Sequence, residues 1–308
     1  MAVLKENVFK KSGAFLNDEE SQKLMSRSLN YLAAGYPVHY TGPSGTGKTT
    51  LAIAVARKRK RPVMLMHGNH ELSNEDLIGA FIGYSSQKVV DRYIHSVYKK
   101  DEKVTENWRN GRLLEAVQEG YTLIYDEFTR SRPSANNLFL SILEEKVLPL
   151  YGTKFTKPFV RVHPEFNVIF TSNPSEYAGV YETQDALMDR LITIPLGYKN
   201  TGAEAAILTR KTGISEEEAT AVSTFVEKIR EACKGGNQWR LGPSMRASVM
   251  IADLAYENDI EIDGSDEEFQ RLCLDILWHT VFRCLGQEEG IDAEELILEE
   301  CKKISVDS

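Results

Sequence analysis

Gly42-Pro43-Ser44-Gly45-Thr46-Gly47-Lys48-Thr49 follows a short β-rich run, Val38 to Thr41, and opens a helix-forming segment from Thr50 to Lys58. Strand, glycine-rich loop and helix in that order make the setting a phosphate-binding loop requires. The eight residues fit G-x-x-x-x-G-K-[ST] at every fixed position. Glycines let the backbone curl so that successive N–H groups point inward and form an anion nest. The helix N-terminus adds partial positive charge. Lys48 is placed to reach the β- and γ-phosphates, and the Thr49 hydroxyl to ligate Mg²⁺. The expected nucleotide contacts are therefore Gly42, Pro43, Ser44, Gly45, Thr46, Gly47, Lys48, Thr49 and Thr50, with ATP and Mg²⁺ as the ligands.

Further along, Tyr121-Thr122-Leu123-Ile124-Tyr125-Asp126-Glu127 is an apolar strand that ends in two carboxylates. A buried parallel strand delivers its last residues to the carboxyl edge of the sheet, where ligands sit in open α/β folds. Asp126 suits the Mg²⁺ role beside Thr49. Glu127 is placed to polarise the attacking water, because phosphoryl transfer leaves the protein mainly positioning and charge stabilisation to do. A third strand, Asn167 to Thr171, leads into Ser172-Asn173-Pro174, so Asn173 is a candidate to sense the γ-phosphate or orient the water. Arg190 closes the helical segment Asp185 to Leu191; one subunit has no evident need for it, whereas a neighbour's guanidinium stabilises transition-state charge. Arg246, in Gly242-Pro243-Ser244-Met245-Arg246, opens a helix of the second half and is expected to reach back to the phosphates. No Asn-Lys-x-Asp occurs, which weakens a GTPase reading.

The surrounding chain agrees with an enzyme of this kind. Its 308 residues are 42% hydrophobic and 27% charged, ordinary for a folded domain pair and unlike collagen, mucin or disordered chains. No apolar run approaches a membrane span, and Met1 to Phe15 lacks the apolar stretch of a signal peptide, so a cytoplasmic protein without a membrane partner is expected. Short strands at 38–41, 62–66, 121–125, 168–171 and 191–195 alternate with helical patterns, which implies a parallel sheet covered on both faces. After Tyr198 only helical patterns remain, at 204–212, 215–233, 244–258 and 266–285, set apart by Gly235-Gly236-Asn237 and Asp263-Gly264. The expected division is an α/β nucleotide-binding domain, 1–198, and a smaller all-helical lid domain, 199–308. The net charge of -8 is uneven: Asp253 to Ser308 holds 17 acidic and 4 basic residues, which disfavours a nucleic-acid partner there. Arg57-Lys58-Arg59-Lys60-Arg61 reads as a solvated helix end before Pro62. Cys233, Cys273, Cys284 and Cys301 match no zinc spacing and read as buried apolar residues.

The glycine-rich loop, Asp126-Glu127, Asn173, Arg190 and Arg246, in that order, resemble the Walker A, Walker B, sensor 1, arginine finger and sensor 2 of AAA+ P-loop ATPases. A long stretch before the acidic strand (about 72–109) and a β-like pair over about 146–165 resemble the helix-2 insert and pre-sensor-1 hairpin of the MoxR-type branch. The segment Asp126 to Pro133 is similar to that branch's Walker B extension. Ala34 to Pro43, Tyr93 to Val97 and Gly120 to Phe128 are similar to the gas-vesicle ATPases within it. Two residues depart from these patterns: Thr129 stands where Asn is usual, and Leu191 replaces an aromatic residue. The resemblance implies a cytoplasmic remodeller or chaperone that assists gas-vesicle assembly, either free in the cytoplasm or associated with the vesicles. Its partners would be further copies of itself in a ring, most simply a hexamer, and gas-vesicle shell or accessory proteins. The alternative is a nucleic-acid- or transcription-linked AAA+ motor, since Gly79 to Tyr84 is similar to the loop by which enhancer-binding activators engage sigma factor. Ile82 stands there in place of threonine.

Overall fold

The computed structural model describes residues 18–89, 101–150, 158–173, 181, 185–233, 242–285 and 292–304. In chain order the elements are α1 (Glu19–Ala33), β1 (Val38–Thr41), α2 (Lys48–Lys58), β2 (Val63–His67), α3 (Asn74–Leu77), β3 (Gly79–Val89), β4 (Asp101–Asn110), α4 (Arg112–Glu119) and β5 (Thr122–Asp126). They continue with α5 (Pro133–Asn136), α6 (Leu138–Glu144), β6 (Val147–Pro149), β7 (Phe159–Arg161), β8 (Asn167–Ser172), α7 (Asp185–Met188) and β9 (Ile192–Pro195). The last are α8 (Thr201–Thr212), α9 (Glu216–Cys233), α10 (Met245–Glu257), α11 (Glu267–Leu285) and α12 (Ala293–Cys301).

The strands read from the sequence form one parallel sheet, ordered β2-β5-β8-β1-β9. Side chains alternate between faces along each strand. Val38, Tyr40, Ile124 and Ile169 therefore meet α1 and α2 through Met25, Leu32, Ala52 and Val55, while Leu123, Tyr125, Val168 and Phe170 meet a second core on the other face. That second core is aromatic: Phe128, Phe139 and Phe170 surround Tyr125 at centroid distances of 5.3–6.1 Å. Register places the site. His67 lies opposite Asp126, and Thr41 opposite Ser172, so the strand ends reach one edge together.

The stretch before the acidic strand contains a short capped helix, α3, and a long antiparallel hairpin, β3–β4, with an irregularity between Phe81 and Gly83. Gly79 to Tyr84, the segment similar to a sigma-engaging loop, forms the first half of β3. Tyr93 and the rest of 90–100 lie outside the described residues. The second hairpin is shorter, β6 against β7, and its tip at 151–157 also lies outside them.

Beyond β9 the described elements are all helical, and α8 to α12 share a core of their own around Phe269, Leu277, Val226 and Ile297. The four expected helices are present, together with α12, which the periodicity did not reveal, as it did not reveal α1. Both start at an aspartate cap: Asp18 accepts from the Ser21 N–H at 2.8 Å, and Asp292 from the Glu294 N–H at 3.1 Å. All four cysteines are buried, and among the described residues no three His, Cys, Asp or Glu side chains converge as metal ligands by themselves. Neighbouring thiols and burial push Cys233 and Cys273 well above the usual thiol range, so both stay protonated. No helix among the described residues is long and apolar enough to cross a membrane. The basic run is only partly a solvated helix end. Arg59 is half-buried, donating to Thr122 Oγ1 at 2.7 Å and to the Glu165 carbonyl at 3.1 Å, and Arg61 pairs with Glu165 at 3.3 Å. These arginines brace β5 and the β7–β8 turn.

Candidate active site

At Gly42, Gly45 and Gly47 the chain takes positive φ angles, 149°, 79° and 87°, which turn it from β1 into α2 and leave the loop N–H groups around the first turn of the helix. Gly45 is required for a second reason. A Cβ there would lie 2.7 Å from the Ser244 Cβ, because the segment leading into α10 packs directly on the loop. Thr46 donates to the Pro43 carbonyl at 2.9 Å and fixes the curl. Lys48 is buried, its ammonium donating to the carbonyls of Gly42 and Pro43 at 2.7 and 2.6 Å.

The acidic pair divides its duties. Asp126 Oδ1 accepts from the hydroxyls of Thr49 at 2.6 Å and Thr171 at 2.5 Å, and Oδ2 lies 3.3 Å from His67 Nδ1. Glu127 leaves the strand in a left-handed conformation, φ 51°, unusual for a residue with a side chain. The Thr171 hydroxyl accepts its N–H at 2.9 Å, and its carboxylate meets Arg130 Nε at 2.8 Å. Thr171 therefore joins both carboxylate residues. The sequence reading passed over it; its only signal was a polar residue in a strand whose every residue is buried.

A cavity of about 390 Å³ opens over this edge. Ser44, Gly45, Gly47, Lys48, Thr49 and Thr50 line it from the loop, and Asp126, Glu127, Thr171 and Asn173 from the strand ends. Its far wall belongs to the helical region: Lys211, Met245, Arg246, Val249 and Met250. Arg246 donates to Ser44 Oγ at 3.2 Å. Gly42, Pro43 and Thr46 shape the loop from behind and do not line the cavity. Arg190 is not among its lining residues either. It pairs with Glu144 of α6 and donates to the Ala186 carbonyl.

Hydroxyl and carboxylate oxygens converge at Thr49 and Asp126 beside a ring of loop N–H groups and a buried lysine. Such a donor set suits a hard divalent cation bound with phosphate. The family model described as "AAA domain (dynein-related subfamily)" matches residues 37–191, the stretch that carries every strand-end feature above. Fold, site and match together define an AAA ATPase, a nucleotide-binding enzyme that hydrolyses ATP. Over 281 residues the chain is 43% identical to the gas vesicle ATPase GvpN of Ancylobacter aquaticus, covering 91% of this chain and 77% of that protein. It is 38% identical over 265 residues to the gas vesicle ATPase GvpN1 of Halobacterium salinarum, covering 86% and 74%. A third relative, the gas vesicle ATPase GvpN of Haloferax mediterranei, is 36% identical over 276 residues, covering 89% and 77%. The chain belongs to the gas vesicle ATPase GvpN family. These relatives favour the gas-vesicle reading over the nucleic-acid or transcription-linked one.

Proposed function

We propose that this ATPase drives assembly of gas vesicles as a ring-forming remodeller or chaperone, with residues 1–198 as the nucleotide-binding domain and 199–308 as the lid. The observation that carries the chemistry is the contact between Thr49 and Asp126, 2.6 Å apart, next to Glu127 at the mouth of the cavity. In this reading the loop from Gly42 to Thr50 cradles the phosphates, with Lys48 on the β- and γ-phosphates. Thr49 and Asp126 hold Mg²⁺, which supplies charge neutralisation at the phosphates when bound. Glu127 takes the proton of the attacking water, which requires its carboxylate to leave Arg130. Asn173 orients that water, and Arg246 holds the phosphates from the lid side. The apolar wall of Met245, Val249 and Met250 suits the nucleoside.

Arg190 serves a neighbouring subunit. A head-to-tail interface that closes by rotation gives each copy's finger to the next site, and arginine fingers are worth roughly 10³ to 10⁵ in rate. The ion pair with Glu144 is exposed on the glutamate side, so exchanging it for a neighbour's phosphate costs little. The insert, about 72–109, and the hairpin, about 146–165, contact the client protein or gate the pore. β3–β4 and β6–β7 are two-stranded sheets separate from the main one.

Mixing tests the shared site. Arg190→Ala keeps its nucleotide pocket and Lys48→Ala keeps its finger. Neither is expected to hydrolyse ATP alone, and mixed assemblies are expected to regain part of the activity. Full activity of Arg190→Ala alone removes it as the finger. The biological reading is tested in a vesicle-forming cell stripped of its own copy: the intact chain should restore vesicles, and Glu127→Gln should not.

A further inference from the structure

The helical region buries a charged pair that touches none of the residues lining the nucleotide cavity except through the segment bearing Arg246. Glu204 of α8 and Arg230 of α9 are 1% and 5% exposed and form a two-pronged ion pair, with N–O distances of 2.7 and 2.8 Å. Burying two charges is costly, and well-packed apolar residues often do as well or better for stability. What the pair touches gives it another use. Arg230 Nε donates to the Pro243 carbonyl at 2.6 Å, and the Ser248 hydroxyl donates to Glu204 Oε1 at 2.6 Å. One contact sits just before α10 and the other in its first turn, on either side of Arg246. Gly242 permits the approach, since a Cβ there would lie 2.9 Å from the Arg230 Cα. The face of Tyr198, in the connector between β9 and α8, lies 4.6 Å from the guanidinium carbon. At the opposite side of the same segment, Ser244 presses on Gly45 of the phosphate loop.

We propose that Glu204 and Arg230 are positioning residues for nucleotide binding: they hold the segment from Pro243 to Ser248 so that Arg246 faces the phosphate loop. Neither touches the nucleotide. The pair sets the place of α10, and Tyr198 links that placement to the connector between the two cores. The inference rests on Arg246 meeting the phosphates.

The test separates positioning from stability. In the double variant Glu204→Leu with Arg230→Met, both charges leave together, so the core keeps its volume without an orphaned ion. Its thermal midpoint is expected to stay near that of the wild type. Its dissociation constant for a fluorescent ATP analogue is expected to rise about tenfold. Amide exchange at 244–248 should quicken in the nucleotide-free protein. In an Arg246→Ala background the same double change should add less than about twofold, because the positioned group is already gone. Arg230→Lys provides a second route if the double variant does not fold: it retains the buried cation but cannot serve Glu204 and Pro243 at once. Lysine should again weaken nucleotide binding several-fold. Wild-type affinity in a folded double variant or in Arg230→Lys overturns the proposal, as does an undiminished loss in the Arg246→Ala background. Should Arg246→Ala alone bind nucleotide normally while the pair still matters, the assignment of Arg246 fails and the positioning role through it falls as well.

Discussion

The α/β layer and the helical region both bury charge, but they finish the job differently. At the sheet edge Asp126, Thr171, Lys48 and Asn173 are each less than a tenth exposed, yet all four line a cavity. In the helical region Glu204, Arg230 and Ser248 turn inward and satisfy one another. An open polar set leaves capacity for a ligand, and a closed one fixes geometry. The contrast explains why two ion-rich clusters of similar burial are assigned different work.

The sharpest way to break this comparison is to disable the open set without unfolding it. Glu127→Gln keeps size and hydrogen bonding but cannot take a proton. Steady-state turnover is expected to fall about 10³-fold with nucleotide affinity retained. Normal turnover would move the base elsewhere.

Next in size is a pH effect outside either set. His39 sits in β1, 2% exposed, between Thr193 Oγ1 at 3.1 Å and Ser172 Oγ at 2.8 Å, with its ring edge-on to Phe128. Burial pushes its pKa down to about 4 from 6.5. Between those values the unfolded chain binds the extra proton, so this contribution to stability is full above pH 6.5 and is lost as pH falls toward 4. The loss is on the order of 3 kcal/mol. Urea unfolding across that range should show it, and His39→Gln should flatten the slope relative to the wild type.

The smallest effect sharpens the comparison from within. Thr171→Val keeps the shape of the strand but removes the hydroxyl that donates to Asp126 and accepts from the Glu127 N–H. The turnover number is expected to drop about tenfold, with a change of about 1–2 kcal/mol in folding stability. An unchanged turnover number would mean that Asp126 and Glu127 need no common anchor.

The open set was mostly legible in the sequence because each part is local: a loop of fixed spacing, and strands whose last residues are polar. The closed set was not. Arg230 and Glu204 lie 26 residues apart on different helices, and nothing in either helix's periodicity marks them as partners. Arg190 and Glu144, 46 residues apart, were hidden for the same reason. The helix α12 escaped because its apolar face is short and four of its nine residues are acidic, although Asp292 was available as a cap. Strand boundaries shifted by a residue because pairing, more than apolar content, decides where a strand ends. β2, for instance, extends to His67 only because Asp126 lies opposite.

Lys199 sits in the connector between Pro195 and Thr201, and its ammonium binds Asp18 and Ser21 at the start of α1. The hydrogen bond from Lys199 helps hold the Asp18 carboxyl below the usual carboxylate range, against the upward pull of burial. A turn of the helical region about the connector must either drag the first turn of α1 along or snap that tether. The start of α1 and the connector therefore share one position, and a change at either is felt at the other.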